Sequence, residues 1–341
     1  MRAVLVREFG PPEVLVAEEV PAPVAGPGQA LVDVAVASIT FVETQIRAGK
    51  GPTPAHRPEL PMIPGNGVGG AVVGVGPDVD RALIGSRVVS TTGGSGGYAE
   101  TAAVDAADLI PIPEGVRTTD AVALLADGRT AVGLVRGAAP LAGEWVLVEA
   151  AGGGVGSLLV QLSHAAGARV VAAASGQAKL SLAERFGAEV TVDYTRPDWA
   201  DRVRAATGGA GVDLVFDGVG GRIGASAVAL LRDGGRLSAF GMAGGAMTSL
   251  PEGEAESRGL RTVGFGAPLT PERLRELSRT ALAEAAAGRL RPTVGQTFPL
   301  EAAADAHAAI EARATLGKTL LITRSGRTAG ASADRTETVS P

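Results

Sequence analysis

The pattern of hydrophobic positions divides the chain near residue 118. Before this point, short apolar segments alternate with turns rich in Gly and Pro, such as Pro21-Ala22-Pro23 and Gly26-Pro27-Gly28. The pattern predicts short strands at Ala3–Arg7, Gln29–Ala37, Gly70–Val75, Arg87–Ser90 and Tyr98–Ala103. Short strands separated by such turns are typical of a compact β-rich domain.

After residue 118 the pattern becomes helical, with possible caps at Thr118-Thr119-Asp120 before the predicted helical segments Ala121–Leu125 and Thr130–Gly137. A regular alternation of strand and helix then begins at Trp145. The predicted strands are Trp145–Glu149, Arg169–Ala173, Glu189–Val192, Val212–Phe216 and Arg236–Phe240, and the predicted helices are Val155–Ala166, Gln177–Phe186, Asp198–Ala206 and Ile223–Leu231. This alternation predicts an α/β domain with a doubly wound parallel sheet.

The segments after the alternation predict a return to the first domain, with helices at Glu272–Ala287 and Ala302–Ala312 and a closing strand at Lys318–Thr323. We therefore predict a split domain made of residues 1–121 and 268–324, and a second domain at residues 122–267. Residues 325–341 are mostly small and polar, and we expect them to be disordered.

Composition narrows the possible functions of the 341-residue chain. The net charge is −5 and no basic block occurs, so we expect no nucleic-acid partner. With no Cys and three His, thiolate zinc sites, iron–sulfur clusters and a Cys nucleophile are excluded, and we expect no metal site. Neither a signal peptide nor a membrane-spanning apolar stretch is visible, so we expect a soluble cytoplasmic protein.

A glycine-rich loop carries the clearest chemical signal. Ala151, Gly153 and Gly156 form an Ala-x-Gly-x-x-Gly pattern between a predicted strand and a predicted helix. Such a loop turns tightly, lets the backbone approach a pyrophosphate and presents the N–H groups of a helix N-terminus to it. The pattern predicts a dinucleotide site, although a purely structural turn is also possible.

The next strand indicates which dinucleotide is bound. An acidic residue about 20 positions after the loop would bind the ribose 2′-hydroxyl of NAD. Here the strand ends in Ala174-Ser175-Gly176, with no carboxylate to repel a 2′-phosphate, and Lys179 follows one turn into the helix. We predict NADPH, with Lys179 as a merely solvated residue as the alternative.

Several motifs together carry a resemblance to a known family. They are Pro64-Gly65 with Gly70-x-Val72, Asp127-Gly128-Arg129-Thr130-Ala131, Gly153-Gly154-Val155-Gly156, Leu182-Ala183-x-x-x-Gly187-Ala188, Asp193-Tyr194, Val215 to Gly221, Phe240-Gly241 and Gly317-Lys318. Over residues 1–323 the chain resembles the medium-chain dehydrogenase/reductases, within their zinc-independent quinone oxidoreductase (zeta-crystallin-like) branch. The resemblance implies a GroES-like split catalytic domain and a Rossmann domain, with NADPH in the cleft between them.

The resemblance also implies site residues. Thr130 would lie by the nicotinamide, with Gly153, Gly154 and Val155 under the pyrophosphate. Ser175, Lys179 and Tyr194 would hold the 2′-phosphate. The remaining expected cofactor contacts are Val219, Phe240, Gly241, Phe265, Gly266 and Lys318. Tyr194 and Phe240 could instead be core aromatics.

Departures from the family pattern affect the substrate site. Where zinc-containing members carry metal ligands, this chain has Thr40, Asn66-Gly67 and Ala126, so an alcohol dehydrogenase is not expected. Thr40 and Gln45 replace the usual Asn and Tyr of the branch. We predict that Thr40, Gln45 and Arg47 stabilise charge on a carbonyl oxygen. Arg47 could instead pair with Glu43, and Asp127 could be catalytic or could orient Arg129.

The leading hypothesis is an NADPH-dependent reductase of small-molecule quinones or other α,β-unsaturated carbonyls. An enoyl reductase or tailoring enzyme of polyketide-like secondary metabolism is the main alternative. A non-catalytic NADPH-binding sensor and a non-redox cyclase are others. The resemblance further implies a homodimer, in which an edge strand at Gly259–Gly266 would pair with its copy.

Overall fold

The computed structural model describes residues 1–51, 58–265 and 269–328. The chain divides into two compact units, which we treat separately. Unit 1 comprises Met1–Ala126, Leu282–Ala287 and Thr293–Pro341, and unit 2 comprises Asp127–Ala281 and Gly288–Pro292.

Unit 1 contains two sheets. Its strands are β1 (Arg2–Leu5), β2 (Val16–Glu19), β3 (Gln29–Ile39), β4 (Gly67–Val75), β5 (Arg87–Thr91), β6 (Thr101–Asp105), β7 (Ile110–Pro111), β14 (Val294–Pro299) and β15 (Lys318–Ile322). Strands β1 and β2 form an antiparallel pair, and the other seven form a sheet in the order β14-β15-β3-β4-β5-β7, with β6 also paired to β3. All the pairings except β14 with β15 are antiparallel.

The long strand β3 organises the core of unit 1. Buried and half-buried residues alternate along most of it, as expected for a strand that places one face against the core. Ala30, Val32 and Val34 pack with Tyr98 and other apolar side chains in one buried cluster. With few aromatics available, the core is built mainly from Val, Ala and Leu.

Unit 2 contains a six-stranded, entirely parallel sheet. Its strands are β8 (Trp145–Glu149), β9 (Arg169–Ala174), β10 (Val190–Asp193), β11 (Val212–Asp217), β12 (Leu231–Ala239) and β13 (Arg261–Thr262). Its helices include α3 (Gly154–Ala165), α4 (Gln177–Arg185), α5 (Trp199–Ala206), α6 (Gly221–Val228) and α7 (Glu254–Ser257).

The strand order in unit 2 is β10-β9-β8-β11-β12-β13. The chain therefore builds one half of the sheet outward from β8 and then crosses to β11 to build the other half. In such sheets the crevice beyond the carboxyl ends of the two central strands is where a dinucleotide binds. The predicted doubly wound sheet is confirmed, and its crossover lies between β8 and β11.

The remaining helices are α1 (Phe41–Arg47), α2 (Thr118–Ala138), α8 (Pro271–Ala286) and α9 (Ala303–Glu311). The two helical segments predicted on either side of Gly128 form the single helix α2, because burial of this segment outweighs the low helix propensity of one glycine. Helix α1 and strand β14 were not predicted from the pattern. In the described ranges, no helix is long and apolar enough to cross a membrane.

Some observed boundaries differ from the predicted ones. Of the predicted edge strand Gly259–Gly266, only Arg261–Thr262 is a strand, and Gly266 lies outside the described residues. Residues 324–328 form a helical turn, in which Ser325 Oγ donates to Asp33 Oδ1 at 2.9 Å. This hydrogen bond connects the turn to β3. The disorder expected from residue 325 stays a prediction, and residues 329–341 lie outside the described residues.

Candidate active site

The glycine-rich loop of unit 2 makes a tight turn between β8 and α3. Ala150 has a positive φ of 48°, and its carbonyl accepts the N–H of Gly153 at 2.8 Å. A Cβ at Gly156 would lie 2.2 Å from the oxygen of Ala150, so only glycine allows this approach. Helix α3 begins at Gly154, and the N–H groups of its first turn have no partners within the helix.

Lys179 packs against this loop from helix α4. A Cβ at Gly152 would lie 2.4 Å from the Cβ of Lys179, which shows how closely the first turn of α4 approaches the loop. The Lys179 ammonium donates to Ser175 Oγ at 3.4 Å. The loop thus combines free helix N–H groups with a nearby cation, and this combination fits a phosphorylated dinucleotide.

Tyr194 joins Ser175 and Lys179 at the ends of two adjacent strands. The backbone N–H of Tyr194 donates to the carbonyl of Ala174 at 3.3 Å, so Tyr194 follows β10 at the level where Ser175 follows β9. All three side chains are partly accessible. The three residues predicted for the 2′-phosphate therefore lie at one edge of the sheet of unit 2.

One carboxylate lies close to this group. Asp193 ends β10, and its Oδ1 accepts the N–H and the hydroxyl of Thr195 at 2.9 and 2.7 Å. Burial opposes its ionisation, but the hydrogen bonds from Thr195 and from the Gly176 N–H hold the pKa of Asp193 below its ordinary value. The Asp193 carboxylate therefore stabilises the turns that follow β9 and β10.

A second turn lies at the end of β11. The Oδ1 of Asp217 accepts the N–H groups of Val219 at 2.8 Å and Gly220 at 2.7 Å. The backbone carbonyl of Asp217 accepts the N–H groups of Phe240 and Gly241 at 2.9 and 3.3 Å. Three residues predicted to contact the cofactor, Val219, Phe240 and Gly241, are therefore held together by Asp217.

Helix α2 contributes a third group of predicted residues to unit 2. Phe265 packs against this helix, since a Cβ at Gly133 would lie 2.6 Å from the Phe265 ring, and Thr130 lies one turn before Gly133. Asp127 contacts the start of α3, because a Cβ at Gly154 would lie 1.9 Å from Asp127 Oδ2. The structure thus places Asp127 beside the predicted pyrophosphate loop.

In unit 1, Thr40 and Gln45 lie on helix α1. Thr40 caps the helix, and both its N–H and its hydroxyl donate to Glu43 Oε2, at 2.5 and 3.0 Å. The other oxygen of Glu43 accepts the N–H of Asn66 at 2.8 Å. Gln45 is half-buried and donates from Nε2 to Thr44 Oγ1 at 3.1 Å.

Arg47 has a different role from the one predicted. Its side chain is 1% exposed, donates to the carbonyls of Gly10 and Thr44, and forms an ion pair with Glu311 of α9. The predicted pair with Glu43 is wrong, because Glu43 turns back to cap its own helix. The prediction that Arg47 stabilises a substrate oxygen is also unsupported, because the guanidinium is enclosed by these protein acceptors.

Lys318 belongs to a buried polar cluster of unit 1, which also contains Glu43, Tyr98 and His307. Lys318 is 4% exposed, and its charge favours ionisation of Glu43, whereas burial is the stronger influence and raises the pKa of Glu43. The Tyr98 hydroxyl is hydrogen-bonded to His307 Nε2 at 3.0 Å and interacts with Glu43. Burial lowers the pKa of His307 to about 3, so this imidazole is neutral.

Comparison with known proteins places these features in a family. Residues 26–114 match the family described as "Alcohol dehydrogenase GroES-like domain" and residues 154–283 match "Zinc-binding dehydrogenase". A "Quinone oxidoreductase" of Pseudomonas aeruginosa is 32% identical over 320 residues, which cover 92% of this chain and 97% of that protein. The chain belongs to the quinone oxidoreductase family of the medium-chain dehydrogenase/reductases.

Two further relatives extend the comparison. A "2-haloacrylate reductase" of a Burkholderia species is 31% identical and covers 94% of this chain and 98% of its own. The structure of Escherichia coli quinone oxidoreductase complexed with NADPH has a TM-score of 0.86 and 29% identity, over 94% of this chain and 100% of that one. The predicted fold class, a Rossmann-type sheet with a GroES-like domain, is thereby confirmed for this quinone oxidoreductase family member.

Asn66 is one of the residues that the family resemblance aligned with the zinc ligands of other members. In this quinone oxidoreductase family member its side-chain oxygen accepts the N–H groups of Thr92 and Gly94 at 3.2 and 2.7 Å. Asn66 therefore stabilises a turn. Across the part of the chain that the structure describes, no group of three or more His, Asp or Glu side chains could hold a metal ion.

Sequence reasoning missed the role of Glu43 and the cluster around it. The spacing of Thr40 and Glu43 is that of a capping box, and this signal could have predicted both α1 and the orientation of Glu43. No comparable signal links Tyr98 to His307, because the two residues are far apart in the sequence and come together only in the folded chain.

Proposed function

We propose that the chain is an NADPH-dependent oxidoreductase that reduces quinones or other α,β-unsaturated carbonyl compounds. The observation that carries this proposal is the arrangement at the crossover of unit 2. There the loop before α3 follows β8, and a second turn follows the neighbouring central strand, β11. The Ser175–Lys179 pair lies beside the loop. The quinone oxidoreductase relatives, including one in complex with NADPH, support the same activity.

The residues of unit 2 would hold the cofactor as follows. The N–H groups of Gly154 and Val155, at the start of α3, would bind the pyrophosphate. Lys179 would neutralise the 2′-phosphate with Ser175 and Tyr194 as hydrogen-bond donors. The bound NADPH would supply the hydride, and the protein would supply orientation and electrostatic stabilisation.

Unit 1 would supply the groups that interact with the acceptor. We assign Thr40 and Gln45 to the carbonyl oxygen on which negative charge develops, because both side chains can donate hydrogen bonds. The Thr40 hydroxyl is hydrogen-bonded to Glu43, a carboxyl group whose pKa is raised by burial. Glu43 therefore holds the Thr40 hydroxyl in position.

The assignments of Thr40 and Gln45 distinguish this site from one that uses a phenol. Gln45 can donate a hydrogen bond but cannot act as an acid. We therefore expect acceptors that are already electron-poor, such as quinones and activated enones. The polyketide-type tailoring alternative is not favoured by the named relatives, of which one reduces a 2-haloacrylate according to its name.

Calorimetric titration tests the proposal directly. NADPH and NADH are titrated into the wild type, Lys179→Ala and Arg202→Ala, in which an exposed cation of unit 2 is removed as a control. We expect NADPH to bind more tightly than NADH to the wild type and to Arg202→Ala, and the preference to be lost in Lys179→Ala. Added 1,4-benzoquinone should then consume NADPH. Absence of NADPH binding to the wild type would overturn the proposal.

Two further predictions belong to this function. A homodimer could form through the edge of the sheet at β13, where Arg261 and Thr262 are exposed. Sedimentation of the wild type and of Thr262→Pro would test this edge, since proline removes a donor from the strand.

The cytoplasmic location also stays a prediction, to be tested by fractionation.

A further inference from the structure

Two carboxyl groups lie side by side at the crossover of unit 2. Glu149 is the last residue of β8 and Asp217 is the last residue of β11, and the two strands are parallel neighbours. Val148 pairs with Phe216, so Glu149 and Asp217 occupy the next position along both strands. Both residues are 0% exposed. Their side chains leave the same face of the sheet at a strand spacing of about 5 Å.

The hydrogen bonds of this pair are unequal. Asp217 Oδ1 accepts two backbone N–H groups, from Val219 and Gly220. In contrast, Asp217 Oδ2 and both oxygens of Glu149 are buried without a regular hydrogen-bond donor. A proton on Glu149 would supply the missing donor to Asp217 Oδ2, while Asp217 Oδ1 keeps its two backbone donors.

Within residues 1–51, 58–265 and 269–328, no cation forms an ion pair with Glu149 or Asp217. The ionisable residues on the elements packed around these strands are Asp127, His164, Arg169, Lys179, Glu184, Arg185, Asp193, Asp201, Arg202, Arg204, Asp213, Arg222, Arg232, Asp233, Arg236, Glu254 and Glu256. Lys179 packs against Gly152, and its ammonium donates to Ser175 Oγ. Two of these residues are buried: Asp127 lies against Gly154, and Asp213 accepts the Trp145 N–H and pairs with Arg232 at the opposite end of the strands. Arg236 pairs with Glu144 at that same end.

Two neighbouring buried carboxyls without a cation cannot both be ionised, since the desolvation and repulsion of two anions would be uncompensated. Burial, reinforced by the hydrogen bond and the charge of Asp217, raises the pKa of Glu149 well above its ordinary value. Geometry and electrostatics therefore agree that one proton is held between the two side chains.

We propose that Glu149 is a positioning residue whose proton joins the two cofactor-binding turns of unit 2. Glu149 directly precedes the loop that begins at Ala150, and Asp217 holds Val219, Phe240 and Gly241 through its side chain and backbone. The inference rests on the proposed NADPH-dependent function. Loss of the proton at high pH would place two anions under these turns and weaken NADPH binding.

The test measures the dissociation constant of NADPH between about pH 6 and about pH 10 for wild type, Glu149→Gln, Glu149→Ala and Glu256→Gln. Gln keeps an N–H donor toward Asp217 but has no proton to lose. We expect the wild-type constant to increase by up to about tenfold per pH unit once Glu149 ionises. Glu149→Gln should lack this increase, and Glu149→Ala should bind about tenfold more weakly at every pH.

Glu256→Gln, which changes an exposed carboxylate of α7, serves as the matched control and should follow the wild type. The pH dependence of the 2′-phosphate is common to all four proteins, so the difference between profiles reports Glu149 alone. Identical profiles for wild type and Glu149→Gln would overturn the inference.

An infrared measurement separates this inference from the proposed function and needs no cofactor. The wild type at neutral pH should show the C=O stretching band of a buried protonated carboxyl that is missing in Glu149→Gln. Failure of the wild type to bind NADPH, with this band present, would refute the proposed function and the positioning role while leaving the shared proton. Absence of the band would refute the shared proton itself.

Discussion

Both units bury carboxyl groups, but they stabilise them in different ways. In unit 1, the buried Glu43 lies near Lys318 and accepts hydrogen bonds from Thr40 and Asn66. In unit 2, Glu149 and Asp217 are fully buried and form no ion pair with any residue that the structure describes. The comparison teaches that burial alone does not determine the charge state of a carboxyl group. Unit 1 provides compensating cations and hydrogen bonds, whereas unit 2 retains a proton.

The same contrast extends to the neutral members of the two sites. His307 of unit 1 is uncharged because burial and the charge of Arg47 both oppose its protonation. Glu149 of unit 2 is uncharged because burial and the nearby Asp217 oppose its ionisation. His307 stays neutral by losing its proton, and Glu149 stays neutral by keeping it. A fall in pH therefore opposes folding through His307, whereas a rise in pH opposes folding through Glu149.

The largest expected effect comes from breaking the ion pair of unit 1. Arg47→Ala empties an enclosed site and leaves the carbonyls of Gly10 and Thr44 without their donor, so we expect the free energy of unfolding to fall by about 3 kcal/mol. Urea denaturation measures this change. The control is Arg204→Ala, which removes a surface pair with Asp201 and should cost about 0.5 kcal/mol. Equal losses in both variants would contradict the role assigned to Arg47.

The next effect concerns the proton of unit 2. At pH values between the ordinary pKa of Glu and the raised pKa of Glu149, the folded chain holds a proton that the unfolded chain has lost. The free energy of unfolding of wild type should therefore fall, relative to Glu149→Gln, by about 1.4 kcal/mol for each pH unit of increase in that window. Urea titrations of both proteins at several pH values measure the slope. A slope of zero would mean that Glu149 is ionised in the folded protein.

A smaller effect is expected from the neutral hydrogen bond of unit 1. Tyr98→Phe removes the hydroxyl that contacts His307 Nε2 and Glu43, and we expect a loss of about 1–3 kcal/mol because buried polar atoms are left unpaired. Thermal unfolding at neutral pH measures it. Thr297→Val, which changes an exposed threonine of β14, is the control and should have little effect. No loss in Tyr98→Phe would show that the hydroxyl is dispensable.

The smallest effect is expected at Ser175. Its hydroxyl accepts a hydrogen bond from Lys179 and would contribute one neutral donor to the 2′-phosphate. Ser175→Ala should weaken NADPH binding by about fivefold and leave NADH binding unchanged. Competitive titration with both nucleotides measures this difference, and equal weakening for the two would place Ser175 outside the 2′-phosphate site.

The sequence predicted the parts of the structure that depend on local pattern. The alternation from Trp145 onward, with the glycine-rich loop, indicated the parallel sheet and the position of the dinucleotide loop, because strand length, turn chemistry and helix caps are short-range signals. Lys179 was predicted in the same way, from its place one turn into the helix after β9, whereas Ser175 and Tyr194 were predicted from the family resemblance.

The buried polar pairs could not be predicted from local pattern. Glu149 ends an apolar strand and gives no sign of its partner, because Asp217 reaches it only through the parallel pairing of β8 with β11. Arg47 was interpreted through its nearest acidic neighbour along the helix, whereas the fold provides Glu311 from α9. Such pairings depend on tertiary contacts, which a single sequence does not reveal.

The central claim is that this chain transfers a hydride from NADPH to an electron-poor acceptor. Rapid mixing of the NADPH-bound wild type with 1,4-benzoquinone, followed by the absorbance of the reduced nicotinamide, tests it most directly. The account predicts oxidation much faster than in the same mixture without protein, and slower when C4 of the nicotinamide carries deuterium. Oxidation no faster than in the protein-free mixture would contradict it.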